Sequence, residues 1–537
     1  MKLTAFHLTL FLLVLIPGSL YSKEYNILNY GALSDSSFLS TPGIQKAIDE
    51  CTANGGGTVI VPAGSYKTGT IILKSNVDLH LEAGAILYGS TRLNDYVKIK
   101  PGYLSLRTQE ATIQLIYAEN AENVSITGFG IINGRGSNFK KLSWNDEGIT
   151  RPHLIRFITC KQVTIENITL RNSGCWMQHY LACDNLHIRG VKVFNRNNFN
   201  NDGLDLDGCR NVIVSDFISD SDDDGITLKS TSPRPCENIT ITNCVISSRC
   251  NAIKLGTESN GGFKNICISN CVVKPSELMQ PAFYGHVGGT AGLALEIVDG
   301  GVMGGISISN ICIDGTESPI FIRLANRARP YKKDLVIDHV GVLSDVNISH
   351  VQVKNAGQTG CSITGLPGHP IENIHFSDIS MEQAGGKAPN DSAQYMEEKE
   401  KDYPEATMFG ILPAYGFYIR HASNISFEDI RLSTKEVDLR PAFYGVDLKQ
   451  GVFSDMQLQS SDATKDNICL TDSRDVVIKG NIIRGKSTCF VHLSGANNSD
   501  ITIIDNLVNE TYSLYKTDLI VEKLIDFGNI IQNKVIN

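Results

Sequence analysis

Short strand-like pieces recur through most of this chain at nearly constant spacing, and that repeat restricts the fold more than any other feature. NVSITG from Asn123, QVTIENITL from Gln162, NLHIRGVKV from Asn185, NVIVSDFIS from Asn211, NITITNCVI from Asn238 and NICISNCVV from Asn265 align under one another. Most open with Asn and then alternate apolar and polar residues. The equivalent Val163, Leu186, Val212, Ile239 and Ile266 are 23, 26, 27 and 27 residues apart, and further copies start at Ile306, Val346, Ile374, Ile425, Val476 and Ile501. A unit this short cannot bury its own apolar face, so neighbouring units must stack. It has room for three short strands and their turns, with β-branched residues on one face and Ser, Thr, Asn and Asp on the other. The expected fold is all-β, a single-stranded parallel β-helix. With strands about 4.8 Å apart, about a dozen coils make a rod on the order of 60 Å long, with an open flank suited to a polymer.

Length alone would allow three or four ordinary domains in 537 residues. No Pro/Ser/Gly-rich linker interrupts the repeat, so one elongated domain over 23–537 is the expectation. The net charge of −9 argues against nucleic acid, whose phosphates require a basic surface. An anionic sugar polymer remains compatible if the cleft is locally basic. Residues 1–22 combine Lys2, an apolar stretch at 8–16 and then Pro17, Gly18 and small residues, the pattern of a cleaved secretory signal. No other apolar run approaches the roughly 20 residues of a membrane-spanning helix, so a secreted or periplasmic protein without a membrane span is expected. Of the fourteen cysteines, Cys244 and Cys271 occupy the same place in adjacent copies. That favours buried, stacked thiols over disulfides. The Asn-x-Ser/Thr sequons at Asn123, Asn167, Asn238, Asn347 and Asn424 read as the repeat's own lettering and not as glycan sites.

Ahead of the coils, Ile44, Ala47, Ile48 and Cys51 fall at helical spacing. Thr41 can cap this helix, Pro42 suits its first position, and glycines 55–57 end it. A helix over 41–53 would cover the unpaired edge at one end of the rod. A rod capped in this way needs no partner, so a monomer is expected. Residues 383–412 break the array with AGGKAPNDS and a charged run at 397–402, an inserted surface loop of the kind that carries recognition.

Asp202 and the run Asp222-Asp223-Asp224 lie 20 to 22 residues apart, about one coil, so stacking brings the acids together. Hydrolysis of a glycosidic bond requires one carboxyl held protonated and one held ionised. Crowded carboxylates repel, which raises at least one pKa and provides the acid. Neighbours in a regular strand face opposite ways, so Asp223 and Asp224 share a site only if the chain bends there. Gly225 has the conformational freedom to permit that bend.

At these residues the chain resembles glycoside hydrolase family 28, the polygalacturonase family, within the right-handed, pectate-lyase-like parallel β-helices. Asn200-Asn201-Asp202 is similar to the family's Asn-Thr-Asp, Asp223-Asp224 to its Asp-Asp, and TGFGIINGRG at 127–136 to its TGxGxIDGxG. The stretch from Arg151 through Trp176 and His179 is also similar. The resemblance implies an inverting hydrolase of pectic polysaccharide or oligosaccharide that needs no cofactor and no metal. Asp223 would be the general acid, with Asp202 and Asp224 positioning the water. Two departures affect the substrate. Cys250-Asn251-Ala252 stands where the family has Gly-His-Gly, and Phe321-Ile322-Arg323 where it has Arg-Ile-Lys. Altered subsites follow, with exo action or rhamnogalacturonan as options.

The expected substrate-binding set is Asn200, Asn251, Lys254, Arg323, Arg327, His179, Tyr418 and Arg420. Arg329, Trp176, Tyr415 and His421 are further candidates, and the arginines suit a carboxylate. Two other readings stay open. In one, a Ca²⁺-dependent polysaccharide lyase uses the same acids as metal ligands. In the other, the chain is a non-catalytic carbohydrate-binding β-helix.

Overall fold

The computed structural model describes residues 23–143, 146–276, 288–387, 396–460 and 464–532. The expected secretory signal at 1–22 and part of the expected inserted loop, 388–395, lie outside the described residues. Strands pair in parallel with the equivalent strand of the next coil, so the chain winds as the parallel β-helix that the repeat predicts. Along one sheet the register runs Val163, Leu186, Val212, Ile239, Ile266, Ile306, Val346, Ile374 and Ile425. These residues are buried, and each contributes about 1.5–3 kcal/mol relative to exposure. The next partner is Gly451, followed by Val476 and Ile501. Gly451 marks a coil that the sequence pattern skips, because a residue without a side chain breaks the apolar alternation.

The recurrent asparagine has a physical cause. Asn185, Asn211, Asn238 and Asn265 all adopt positive φ, between 54° and 58°, a region asparagine tolerates better than most residues. Their side chains form a ladder, each amide nitrogen donating to the preceding Oδ1 at 3.0 to 3.2 Å. The sequon residues Asn123, Asn238 and Asn424 all donate to a neighbouring asparagine in this manner. All fourteen cysteines are described, all are free thiols, and all but Cys267 and Cys312 are buried.

Helix α1 spans Thr41–Ala53 and buries Ile44, Ala47, Ile48 and Cys51 against the first coils. Its N-cap is Ser40, not Thr41, and no side chain caps it. The Thr41 hydroxyl instead accepts the Gly69 N–H at 2.7 Å and meets Thr68 Oγ1 at 3.0 Å, fastening the helix to the coil beneath. No described helix is long and apolar enough to cross a membrane.

The stretch of sheet that carries the acids runs through β1 (His153–Ile158), β2 (Gln178–Leu181), β3 (Leu204–Asp207), β4 (Ile226–Ser230), β5 (Asn251–Ser259), β6 (Ala291–Ile297), β7 (Ser318–Leu324), β8 (Cys361–Thr364), β9 (Phe417–Glu436) and β10 (Phe443–Ser454). One outward-facing row along it reads His179, Asp205, Thr227, Lys254, Ala294, Phe321, Ser362, Tyr418 and Tyr444.

Candidate active site

Asp202, Asp223 and Asp224 sit at the N-terminal edges of β3 and β4, where the chain turns into the sheet, and all three line one cleft of about 450 Å³. Asn201 ties the first turn together. Its Oδ1 accepts the N–H groups of Asn197 and Asn198 at 3.1 and 2.6 Å, and its amide donates to the Cys175 carbonyl at 2.9 Å. The Asp223 carbonyl accepts the hydroxyls of Ser221 at 3.0 Å and Ser248 at 2.7 Å, which fixes the second turn. Gly225 is required there, but not for conformational freedom. Its φ is not in the left-handed region, and a Cβ would lie 2.5 Å from both the Ala252 carbonyl oxygen and Ile246 Cγ2. The constraint is the close stacking of successive turns.

The two neighbouring acids are held in opposite proton states. Burial, and then the charge of Asp224, pushes the Asp223 carboxyl up to about 7. Asp224 is buried too, which opposes ionisation, but Lys254 and Lys229 and two donors from Asn251 hold it below the ordinary carboxylate range. Lys254 Nζ lies 3.3 Å from Asp224 Oδ2, while the Asn251 N–H and amide reach Asp224 Oδ1 at 3.1 and 2.9 Å. Asn251 and Lys254, expected on the substrate, are thus engaged with an acid. Behind Lys254, burial raises the Glu296 carboxyl to about 8 against the pull of that ammonium.

A second charged cluster adjoins the first. Lys229 Nζ lies 3.9 Å from Asp202, 3.6 Å from Asp205 and 3.9 Å from Glu258. Glu258 also pairs with Arg107 at 3.0 Å and Arg329 at 3.6 Å. Arg107 and Lys229 both lie over the Trp176 ring, 4.8 and 4.9 Å from its centroid. Trp176 therefore lines the cleft, whereas His179 is fully buried beneath it. The His179 ring meets Trp176 edge to face at 5.0 Å, and its Nε2 pairs with Asp207 at 3.1 Å. Asn200 reaches the cleft wall with its Oδ1 accepting from buried Arg151 at 3.0 Å.

The remaining expected binding residues do not line this cleft. Arg327 is committed to Asp299, with Nε 3.0 Å from Oδ1. Tyr418 is buried against Tyr444. Arg323 donates to Thr364 and to the carbonyls of Glu398 and Lys399, at 3.1, 2.5 and 3.3 Å. Arg420 holds the Met396 carbonyl at 2.6 Å and the Glu398 carboxylate, and His421 meets that carboxylate at 3.1 Å. Tyr415 packs in the core and donates to the Gln459 carbonyl at 3.3 Å. Arg323, Arg420 and His421 therefore fasten the described part of the inserted segment as a strap across the sheet. The strap seats Ala406 and Met408 on Ala291, Ala294 and Phe321. It also brings Tyr403 and Glu405 into the cleft, alongside Lys141, Phe199 and Glu147 from earlier loops. Such loop residues have no periodicity, so nothing in the repeat identifies them.

Asp223, Asp224 and Cys250 offer ligand atoms within 4.8 Å of one another, the one such set in this cleft among the described residues. The Lys254 ammonium already supplies positive charge there, which competes with a metal ion. A separate set, Asp466, Cys469 and His492, lies on later coils, with Lys516 2.8 Å from Asp466.

Comparison with known proteins bears on the family and the fold. The profile of glycosyl hydrolases family 28 matches residues 51–401, well over half of the chain. A probable polygalacturonase from Vitis vinifera is 31% identical over 215 residues, 38% of this chain and 44% of that protein. The exo-poly-alpha-D-galacturonosidase of Dickeya chrysanthemi is 28% identical over 256 residues, 38% of this chain and 42% of that protein. These matches span less than half of each relative. Among solved structures, the hyperthermoactive exopolygalacturonase of Thermotoga maritima superimposes with a TM-score of 0.56 at 22% identity, covering 67% of this chain and 87% of that one. The polygalacturonase of Erwinia carotovora ssp. carotovora gives 0.52 at 20% identity, covering 67% and 93%. These neighbours share the right-handed parallel β-helix. This chain belongs to glycosyl hydrolases family 28.

Proposed function

We propose that the protein is an exported, monomeric hydrolase of galacturonate-containing pectic polysaccharide that acts with inversion. The observation that carries this reading is the pair of adjacent acids in opposite proton states. Asp223 keeps its proton to near neutrality and protonates the leaving oxygen, while ionised Asp224 deprotonates the attacking water, which Asp202 helps to orient. Arg107, Lys141, Lys229 and Arg329 set four cations among the seven acids of the cleft lining, and they are the groups a uronate carboxylate would meet there. Tyr403 and Glu405 of the strap wall part of the cleft, and the reading extends to cleavage from a chain end.

The test is incubation with polygalacturonate, rhamnogalacturonan and their oligosaccharides, with and without EDTA. Reducing ends, product size and the anomer first formed would be followed, the last by NMR. EDTA-resistant release of short, saturated products with inverted configuration is the expected result, and its absence with Asp223→Asn completes it. An unsaturated product that disappears with EDTA would replace this reading with a lyase. No release from any pectic fraction by folded protein would end the substrate assignment.

A further inference from the structure

One carboxyl behind the cleft has no part in the chemistry above. Asp205 is fully buried on β3, where alternation with Leu204 and Leu206 turns it to the same face as Asp207. Neither of its carboxyl oxygens has a hydrogen-bond donor among the described residues. Its register neighbours along the sheet do not help. The His179 Nε2 is directed to Asp207, and the Thr227 hydroxyl is itself without a partner. Lys229 stands 3.6 Å away but is shared with Asp202 and Glu258. The group within hydrogen-bonding reach is the Asp202 carboxyl, whose Oδ1 also lacks a donor.

Two buried carboxyl groups facing each other make no hydrogen bond unless a proton lies between them. Two full negative charges here would have one shared ammonium and no donors, a costly arrangement in a dry site. One proton removes the repulsion and creates the missing bond, as in carboxyl pairs that titrate together. We infer that Asp202 and Asp205 form a dyad sharing a single proton, with Asp205 the positioning residue that fixes Asp202 toward the cleft. The dyad then carries one negative charge, which Lys229 balances. The proton stays within the dyad through turnover, and Asp205 does not touch the substrate. Burial acts in the same direction, raising the Asp205 carboxyl to about 7 and Asp202 well above its ordinary range.

The inference rests on the reading of Asp202 as a water-orienting acid, and it is tested by two measurements, one of which needs no activity. In an Asp223→Asn background, the infrared carbonyl stretch of a protonated, buried carboxylic acid should be present near neutral pH. The dyad's contribution to it should be lost on adding Asp205→Asn, because the amide donates to Asp202 and leaves it ionised, while the contribution of buried Glu296, raised to about 8, stays. In otherwise wild-type enzyme, Asp205→Asn should keep kcat within about tenfold, while Asp205→Ala should lose roughly 100-fold with little change in KM, since only the alanine lacks a donor. Unchanged infrared bands would overturn the dyad whether or not the pectic substrate is right. Equal losses in the two variants would overturn the positioning role. A protein silent on every pectin but with the expected infrared change would keep the dyad and discard the proposed substrate.

Discussion

The upstream and downstream halves of the site sheet share one backbone register and differ in what occupies it. On β2 to β5 the outward row presents His179, Asp205, Thr227 and Lys254, and the turns at its edge carry Asp202, Asp223 and Asp224. On β6 to β10 the same row presents Ala294, Phe321, Ser362, Tyr418 and Tyr444, and a strap lies across it. Upstream, polar groups are packed tightly enough to set one another's proton states. Downstream, the row is largely apolar, and Arg323 and Arg420 there hold the strap. The scaffold therefore does not specify where chemistry occurs. The side chains at equivalent positions do, together with whatever loop covers them.

Substitutions can break this contrast, and the largest effect is expected upstream. Asp223→Asn removes the proton donor and should lower kcat by roughly 10³- to 10⁴-fold, read as reducing-end release, with an unchanged melting curve. Phe321→Ala removes the seat of the strap and should cost about 3–5 kcal/mol in urea unfolding if the strap cannot resettle. The same variant should lengthen the products by opening the downstream side, read by chromatography of oligosaccharides. Unchanged products would show that the strap does not bound the cleft.

Lys254→Met sharpens the account of proton states. In the wild type, activity should fall as pH rises through about 7, where Asp223 loses its proton, and persist on the acid side until Asp224 is protonated below the ordinary carboxylate range. Lys254 lowers the pKa of both acids, so its removal should move both limbs of the kcat/KM profile to higher pH. A fixed profile would show that the ammonium does not set their charge. Asn238→Ala, in the ladder outside both halves, should cost only about 0.5–1.5 kcal/mol and leave kcat untouched.

The rod was legible because β-branched residues alternate in every copy, and the coil at Gly451 was missed for lack of one. The acids were legible as a pair of motifs one coil apart. Lys229 was not among the expected site residues, although Ile226, Leu228 and their neighbours alternate and put Thr227 and Lys229 on the face of Asp205 and Asp207. Its role depends on three acids converging from β3 and β5, which linear spacing does not reveal. Arg107, Tyr403 and Glu405 reach the cleft from loops without a period. Arg323 and Arg420 lie on strands the pattern anticipates, but the strap that occupies their guanidinium groups comes from an insertion whose path no repeat encodes.

The asparagine ladder also bears on how such a chain can change length in evolution. In the run from Asn185 to Asn265, the interior rungs Asn211 and Asn238 each offer an amide donor to the coil before and an acceptor to the coil after. Duplication or loss of a whole coil therefore rejoins the ladder with every amide still matched. Gain or loss of one residue within a strand puts an amide out of line and turns every following side chain to the opposite face. Viable lengths should thus come in steps of a coil, with odd-sized additions confined to turns, which is where the strap is inserted.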